Sequence, residues 1–351
     1  MSRAVIVGMG AMSPLGLTIT QAAFLLRTGM PGFTPSPLAD ANGEPTTFGM
    51  QPTIDPSLIG LERAAILAGP AIREACIPIR EFADQLNIGA LIALDEGLSV
   101  KDTWGAVSPA ADLIRALQDH VREIAPNAKI TPVIRGAAGP AFALPDALAA
   151  LDNGGLDALL FGGVHSDYDP MQIRLLEDQH RLFTPDNLDA IIPGEAAAFV
   201  LLMRPDAARR VGLESYGRIA SVGSGFERAN PDNDESSFEA KGLTTAIRSA
   251  TKPLVENGQR AGWMLTDLTF EMWRIQEWQA MITRTRDVWA DPYAVENPAQ
   301  RMGRLGAAAL PFLTAVAAEG WRRGFAPSPI AIAFAGSDAG ERGALVLTRA
   351  E

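Results

Sequence analysis

Residues 131–163 read TPVIRGAAGPAFALPDALAALDNGGLDALLFGG. The pattern predicts a strand over 132–135, a tight turn at Gly136-Ala137-Ala138-Gly139, and a helix opened by Pro140. Gly154-Gly155 stops that helix, and 156–161 read as a second, apolar strand. A strand that turns sharply into a helix puts one side chain at the helix N-terminus, where unpaired N–H groups and the helix dipole favour an anion. This is the shape of a nucleophile elbow. The residue at its apex is Ala137.

Strands and helices alternate on both sides of this stretch. Upstream, 4–8 predict a buried strand, 20–27 a helix, 29–47 an irregular loop, 61–76 a helix and 88–94 a strand. Ser108 is placed to cap a helix over 110–124. Downstream, GGVHSDYDP leaves the end of a strand, a helix follows over 171–180, and 197–203 form a strongly apolar strand. Residues 205–212 read as a charged connection, 217–222 as a strand, 226–237 as an acidic loop and 239–255 as a helix. Residues 265–270 suggest a strand, and 271–284, which contain two tryptophans, are ambiguous. A loop over 285–300, a buried small-residue helix over 305–318 and strands over 330–334 and 344–348 complete the chain.

Such alternation indicates an α/β fold with mainly buried sheets. A repeat adds that the fold is duplicated. Gly194-Glu195-Ala196-Ala197-Ala198-Phe199-Val200-Leu201 matches Gly340-Glu341-Arg342-Gly343-Ala344-Leu345-Val346-Leu347 at five of eight positions. Two halves, 1–204 and 205–351, are expected to form one compact unit.

The chain has 351 residues, 47% hydrophobic and 20% charged, which is the composition of a folded globular protein. A net charge of −11 without a Lys/Arg cluster excludes a nucleic-acid or anionic-membrane surface. The single cysteine, Cys76, forms no internal disulfide and no cysteine-based zinc site, which fits a reducing compartment. No signal peptide or membrane span is expected, so the cytoplasm is the expected location. Gly8 and Gly10 begin a dinucleotide-like pattern, but Ser13-Pro14 replaces the third glycine and no acidic residue follows at the required spacing, so no nucleotide cofactor is expected.

Together the segments resemble the β-ketoacyl-acyl-carrier-protein synthases of the thiolase superfamily. The resemblance rests on Val5-Ile6-Val7-Gly8-Met9-Gly10-Ala11-Met12-Ser13-Pro14-Leu15-Gly16, on Gly194-Glu195-Ala196-Ala197, on Gly303-Arg304-Leu305-Gly306-Ala307-Ala308 and on Ala333-Phe334-Ala335-Gly336-Ser337. It covers nearly the whole chain. It implies a thiolase fold, five layers αβαβα in two pseudo-duplicated halves, dimerised through the first half. It also implies a cysteine nucleophile at the elbow, two histidines and a lysine. Position by position, the cysteine falls on Ala137, the first histidine on Met272 or its neighbours within 270–273, the second on Arg304, and the lysine near Ala299. A methyl group forms no thioester, and a permanently charged guanidinium shuttles no proton near neutral pH. The ordinary condensation is therefore expected to be absent, with Ala137, Met272 and Arg304 as vestigial positions.

The residues offer little support for other chemistry. Cys76 ends an apolar helix and reads as a buried thiol. His165, Ser166, Asp167 and Asp169 crowd one loop, but neighbours in sequence rarely face one another as a triad must, and a metal site there lacks independent support. His120 and His180 read as solvated or capping residues. Glu195 and Glu341 read as turn-fixing carboxylates rather than a catalytic pair. Arg135 and Arg304, both placed near the vestigial pocket, are candidates to bind an anionic ligand or a partner's carboxylate, the alternative being an internal salt bridge. Phe334 completes the candidate pocket, and Trp273, one of five tryptophans in the second half, is either an interface anchor or core filling.

The sequence thus predicts a catalytically inactive ketosynthase-like pseudoenzyme without cofactor or metal, acting as an adaptor, chaperone or dimer partner for another protein. Two settings follow from the resemblance: the non-catalytic subunit of a ketosynthase heterodimer, and an accessory protein of a type VI-like secretion effector, which the 271–278 segment favours. Homodimer and heterodimer both remain open. The rivals are an acyl- or thioester-binding enzyme with a different nucleophile and an acyl sensor with an open pocket.

Overall fold

The computed structural model describes residues 4–96, 98, 109–231 and 238–350. The expected cap at Ser108 and part of the acidic loop lie outside them. The first half runs β1 (Val5–Met12), α1 (Ile19–Thr28), β2 (Thr34–Ala39), β3 (Pro45–Phe48), α2 (Gly60–Ala75), β4 (Ile88–Leu94), α3 (Pro109–Arg122), β5 (Lys129–Ile134), α4 (Pro140–Asp152), β6 (Ala158–Ser166), α5 (Pro170–Asp178) and β7 (Glu195–Met203). After the short α6 (Pro205–Arg210), the second half runs β8 (Gly217–Phe226), α7 (Gly242–Glu256), β9 (Trp263–Thr266), α8 (Met272–Arg284), β10 (Val295–Glu296), α9 (Ala299–Met302), α10 (Ala309–Arg323), β11 (Ile330–Gly336) and β12 (Glu341–Arg349).

Ten strands form one continuous sheet in the order β10-β9-β11-β12-β8-β1-β7-β6-β4-β5. The order contains the duplication. If the five strands of each half are numbered along the chain, both halves read 3-2-4-5-1 from their outer edge inward. Pairing directions repeat as well: β7 is antiparallel to β1 and β6 as β12 is to β8 and β11, while β6-β4-β5 and β11-β9-β10 are parallel. The halves join edge to edge through only two residue pairs, Val5 with Arg218 and Ile6 with Gly217.

Helices cover the sheets in three layers. The outer faces are closed by α2 and α3 on the first half and by α7 and α8 on the second, each over its own hydrophobic cluster. Between the sheets lie α4 and α10. The latter is buried at every residue from Ala309 to Trp321, as expected of a helix apolar on all sides, and its alanines let both sheets approach closely. The α/β architecture in five layers, αβαβα, is therefore as the sequence implied.

Three local expectations change. Residues 29–47 include the β2–β3 hairpin, whose alternation Pro35 and Pro37 obscure and whose buried Ser36 and Thr46 hydroxyls are 2.7 Å apart. The charged connection after 205 includes a turn of helix, α6. The ambiguous 271–284 is the helix α8, and the preceding strand ends at Thr266 rather than at 270, because buried Thr266 and Asp267 stand where an apolar pattern would predict strand continuation.

Candidate functional site

In sheets with parallel strands, functional side chains collect beyond the carboxyl ends of the strands. Here those ends deliver charged residues one after another. Asp95 and Glu96 follow β4, Arg135 and the elbow follow β5, and His165 and Asp167 stand at the end of β6. From the second half, Asp267 follows β9 and Ser337-Asp338 follow β11. Arg304 reaches in from the turn between α9 and α10.

The elbow has the predicted shape. Gly136 adopts φ +64, a conformation natural to glycine, and its N–H bonds to Leu94 O at 2.9 Å. A Cβ at this position would lie 1.5 Å from Glu96 Oε2, so a side-chain carboxylate of the protein itself rests on the elbow. Ser337 ties the second half to it, its Oγ donating to Arg135 O at 2.7 Å and accepting from Ala138 N at 3.0 Å. Ala137 is buried in the central cluster.

Beside the elbow, the charges form one connected network. His165 Nδ1 is 2.8 Å from Asp95 Oδ2, and Nε2 lies 3.0 Å from Asp167 Oδ2, so the ring stands between two carboxylates. Asp167 also takes both Nε (3.0 Å) and Nη2 of Arg304. Arg304 Nη1 reaches Asp338 Oδ2 at 3.4 Å, and Asp338 receives Arg181 Nη1 at 2.9 Å. Arg181 Nε in turn donates to Glu271 Oε1 at 2.7 Å. Asp338 N donates to Glu96 Oε1 at 2.7 Å, closing the network onto the elbow.

Burial and mutual attraction set the protonation states. Burial alone would depress His165, but Asp167 and Asp95 outweigh it and raise the imidazole to about 10. Burial opposes ionisation of Asp167 and Asp338 too; Arg304 with His165 holds the first below the usual carboxylate range, and Arg181 with Arg304 brings the second to about 2. Glu96 moves the other way, pushed up by burial and then by Asp338 and Asp95. A doubly flanked imidazolium holds its proton at neutral pH and has no lone pair with which to act as a base. The arrangement is an internal ion network.

The residues singled out in sequence distribute as follows. Arg304 is in the network, paired with two aspartates, so the salt-bridge alternative describes it. Arg135 is exposed and its guanidinium stands 5.4 Å from the Phe142 ring centroid. Met272 is half exposed at the start of α8, its N–H bound to Asp189 Oδ1 at 2.6 Å, and the network does not include it; the buried residue directly beyond β9 is Asp267, paired to Arg274 at 2.8 Å. Phe334 belongs to the outer cluster of the second half rather than to the central cluster of Ala137. Trp273 is half buried, with Arg342 and Arg274 cations 5.6 and 5.8 Å from its ring.

The alternatives are placed too. Asp169 caps α5 through Met171 N at 2.8 Å, apart from the His165 pairings. Ser166 faces away from His165, as successive strand residues must, and donates to Glu195 at 3.0 Å. Glu195 is buried against Arg63 at 2.6 Å and is a structural ion pair. Burial pushes the Cys76 thiol up to about 12. His120 is half buried and His180 is exposed at the end of α5 with φ 55. Sequence reasoning missed Asp95, Glu96, Arg181, Glu271 and Asp338.

No family model and no curated protein matches the sequence. Solved structures do. A ketosynthase from module 6 of the bacillaene synthase of Bacillus subtilis 168 aligns with a TM-score of 0.76 at 14% identity, over 99% of this chain and 72% of its own. The ishigamide ketosynthase/chain length factor aligns at 0.75 and 19% identity over 100% of both chains. The type II PKS complex AntDE:AntF, an acyl-carrier protein with its ketosynthase, aligns at 0.76 and 14% identity over 100% of both. At these identities the likeness is one of fold, and the fold is that of ketosynthases.

Proposed function

We propose that this chain is a non-condensing ketosynthase-fold protein that works by binding another protein, as the non-catalytic member of a pair. The observation that carries the reading is the elbow itself: alanine stands at the apex, and Glu96 and the Asp95–His165–Asp167–Arg304–Asp338 network occupy the strand ends around it. The shared fold with the ishigamide ketosynthase/chain length factor supports the setting. So does β5, a six-residue strand that ends the sheet, whereas the corresponding edge of the second half, β10, has only two residues. An open edge is a template for pairing with another chain. The narrower role beside a secreted effector rests on the 271–278 segment, whose Arg274 and Glu277 are committed to buried ion pairs within α8's own half.

The test is turnover and stoichiometry. Purified protein incubated with acyl and malonyl pantetheine thioesters is expected to gain no covalent mass and to release no carbon dioxide above a heat-denatured blank. An adduct on any residue, or decarboxylation that persists after repurification, overturns the inactivity. Native mass spectrometry of the protein from its own cells is expected to give a complex with a second chain; a monomer at all concentrations overturns the binding role.

A further inference from the structure

Charge is unevenly spread over the molecule. Residues 13–39 and 297–337 carry Arg27, Arg301, Arg304, Arg322 and Arg323 against a single acid, Glu319, in a chain whose net charge is −11. Arg304 belongs to the ion network, but the fold gathers the other four round the C-terminal ends of α1 and α10, which pack together. The Arg27 guanidinium stands 4.6 Å from the Phe325 ring centroid, just past the end of α10, and Phe24 lies 6.1 Å from the same ring. Arg301 Nη1 donates to Gly29 O at 3.2 Å, at the end of α1, and Arg322 Nη2 reaches back to Thr20 Oγ1 at 3.1 Å.

The acids of this face lie beneath its cations. Glu319 is fully buried, and Arg322 and Arg323 pair with it from the exposed last turn of α10. Glu296, half-buried on β10, has its carboxyl pushed up by burial, while Arg301 and Arg27 pull against that. Glu74, further inward, is turned onto the Ala11 and Ile19 N–H groups. One carboxylate for two guanidiniums leaves each group positive, and the exposed partners are the arginines, so the surplus faces water. Phe24 and Met30 stand among them 48% and 53% exposed. Exposed apolar side chains interleaved with arginines are the composition of a protein interface, whereas a lipid surface requires a broader apolar face. β10 and β5 end the sheet at opposite edges, so this face is separate from the edge offered for pairing.

We infer that this face binds an acidic segment of a partner protein, with a large apolar residue of that segment against Phe24 and its carboxylates on Arg27, Arg301 and Arg323. The inference goes beyond the pairing role and needs no contact with β5. In the test, a random ten-residue peptide display library is depleted on the Phe24→Ala, Arg27→Gln double variant and panned against the immobilised full chain; resynthesised winners are measured by fluorescence anisotropy. Winners are expected to carry Asp or Glu beside Leu, Ile, Met or Phe. They are expected to bind about tenfold more weakly to Phe24→Ala and about threefold more weakly to Arg27→Gln or Arg323→Gln. Arg174→Gln, exposed on α5, should bind as wild type, and raising salt from about 0.05 to about 0.5 M should weaken all winners. Unchanged thermal melting separates lost binding from lost folding, and Arg323→Gln, at the exposed end of α10, keeps the test open should Phe24→Ala melt lower. Absence of enriched sequences, basic winners, winners indifferent to the substitutions, or capture of phosphatidylserine vesicles with no peptide enriched overturns the inference. Thioester turnover with intact peptide binding would sink only the earlier reading.

Discussion

Replacing Asp167 by Asn tests the ion network at its most connected point. The side chain is 1% exposed and holds two cations, Arg304 through two nitrogens and His165 at 3.0 Å. Asparagine keeps the shape and leaves both cations buried with one fewer carboxylate. Breaking a buried pair from one side costs about 3–5 kcal/mol, far above the 0–1 kcal/mol of a surface pair. For 351 residues the unfolding entropy at the midpoint is roughly 0.7 kcal/mol/K, so the melting temperature should fall by roughly 4–7 °C. Differential scanning calorimetry at pH 7 reads this directly. A companion double variant, Asp167→Asn with Arg304→Met, removes one orphaned cation and should recover part of the loss. A fall under about 1 °C for the single variant, equal to roughly 1 kcal/mol or less, would refute the reasoning, since the cluster would then be hydrated like a surface pair. The pH dependence has a defined sign. His165 is raised in the folded state from 6.5 to about 10, so its stabilisation is complete below 6.5 and is lost as pH climbs through that window. Asp167→Asn should flatten this alkaline decline.

Glu74 provides a second pH signature. Burial raises its carboxyl to about 7 although it accepts the Ala11 and Ile19 N–H groups, so wild-type stability should fall as pH rises from 4.5 to 7, and Glu74→Gln should lose that slope in urea titrations. Gly136→Ala should destabilise by more than the roughly 1–2 kcal/mol of a left-handed alanine, because the new Cβ also meets Glu96; combined with Glu96→Ala the excess should vanish in the same titrations. Cys76, 5% exposed, should resist iodoacetamide at pH 8 in the native protein and be alkylated fully in denaturant, as read by intact mass.

The backbone of this fold was legible because its signals are local. Pro140 opens α4, Gly136 takes the turn, and the Gly-Glu repeat marks β7 and β12, which hold equivalent places in the two halves. The network was not legible, because its pairs join residues as distant as Arg181 and Asp338 or Asp95 and Ala307. A trace of it is present in the sequence: Asp95-Glu96 and Asp267 come directly after an apolar strand and Asp338 one residue later, where an abrupt carboxylate has no packing reason to stand. Counting from motifs put the first histidine position at Met272 or its neighbours within 270–273; Met272 opens α8 and is half exposed, while β9 ends at Thr266 and the residue after it, Asp267, is buried.

The narrow join between β1 and β8 has a consequence for how the molecule comes apart. Two residue pairs cannot hold ten strands together, yet α4 from the first half packs on β8 and β12, and α10 from the second packs on β7, β1 and β6. Each half lends its central helix to the other's sheet, like clasped hands. A chain cut after residue 204 would keep every strand of its own sheet and lose α10 from the inner face of β1, β6 and β7, leaving that apolar surface to water.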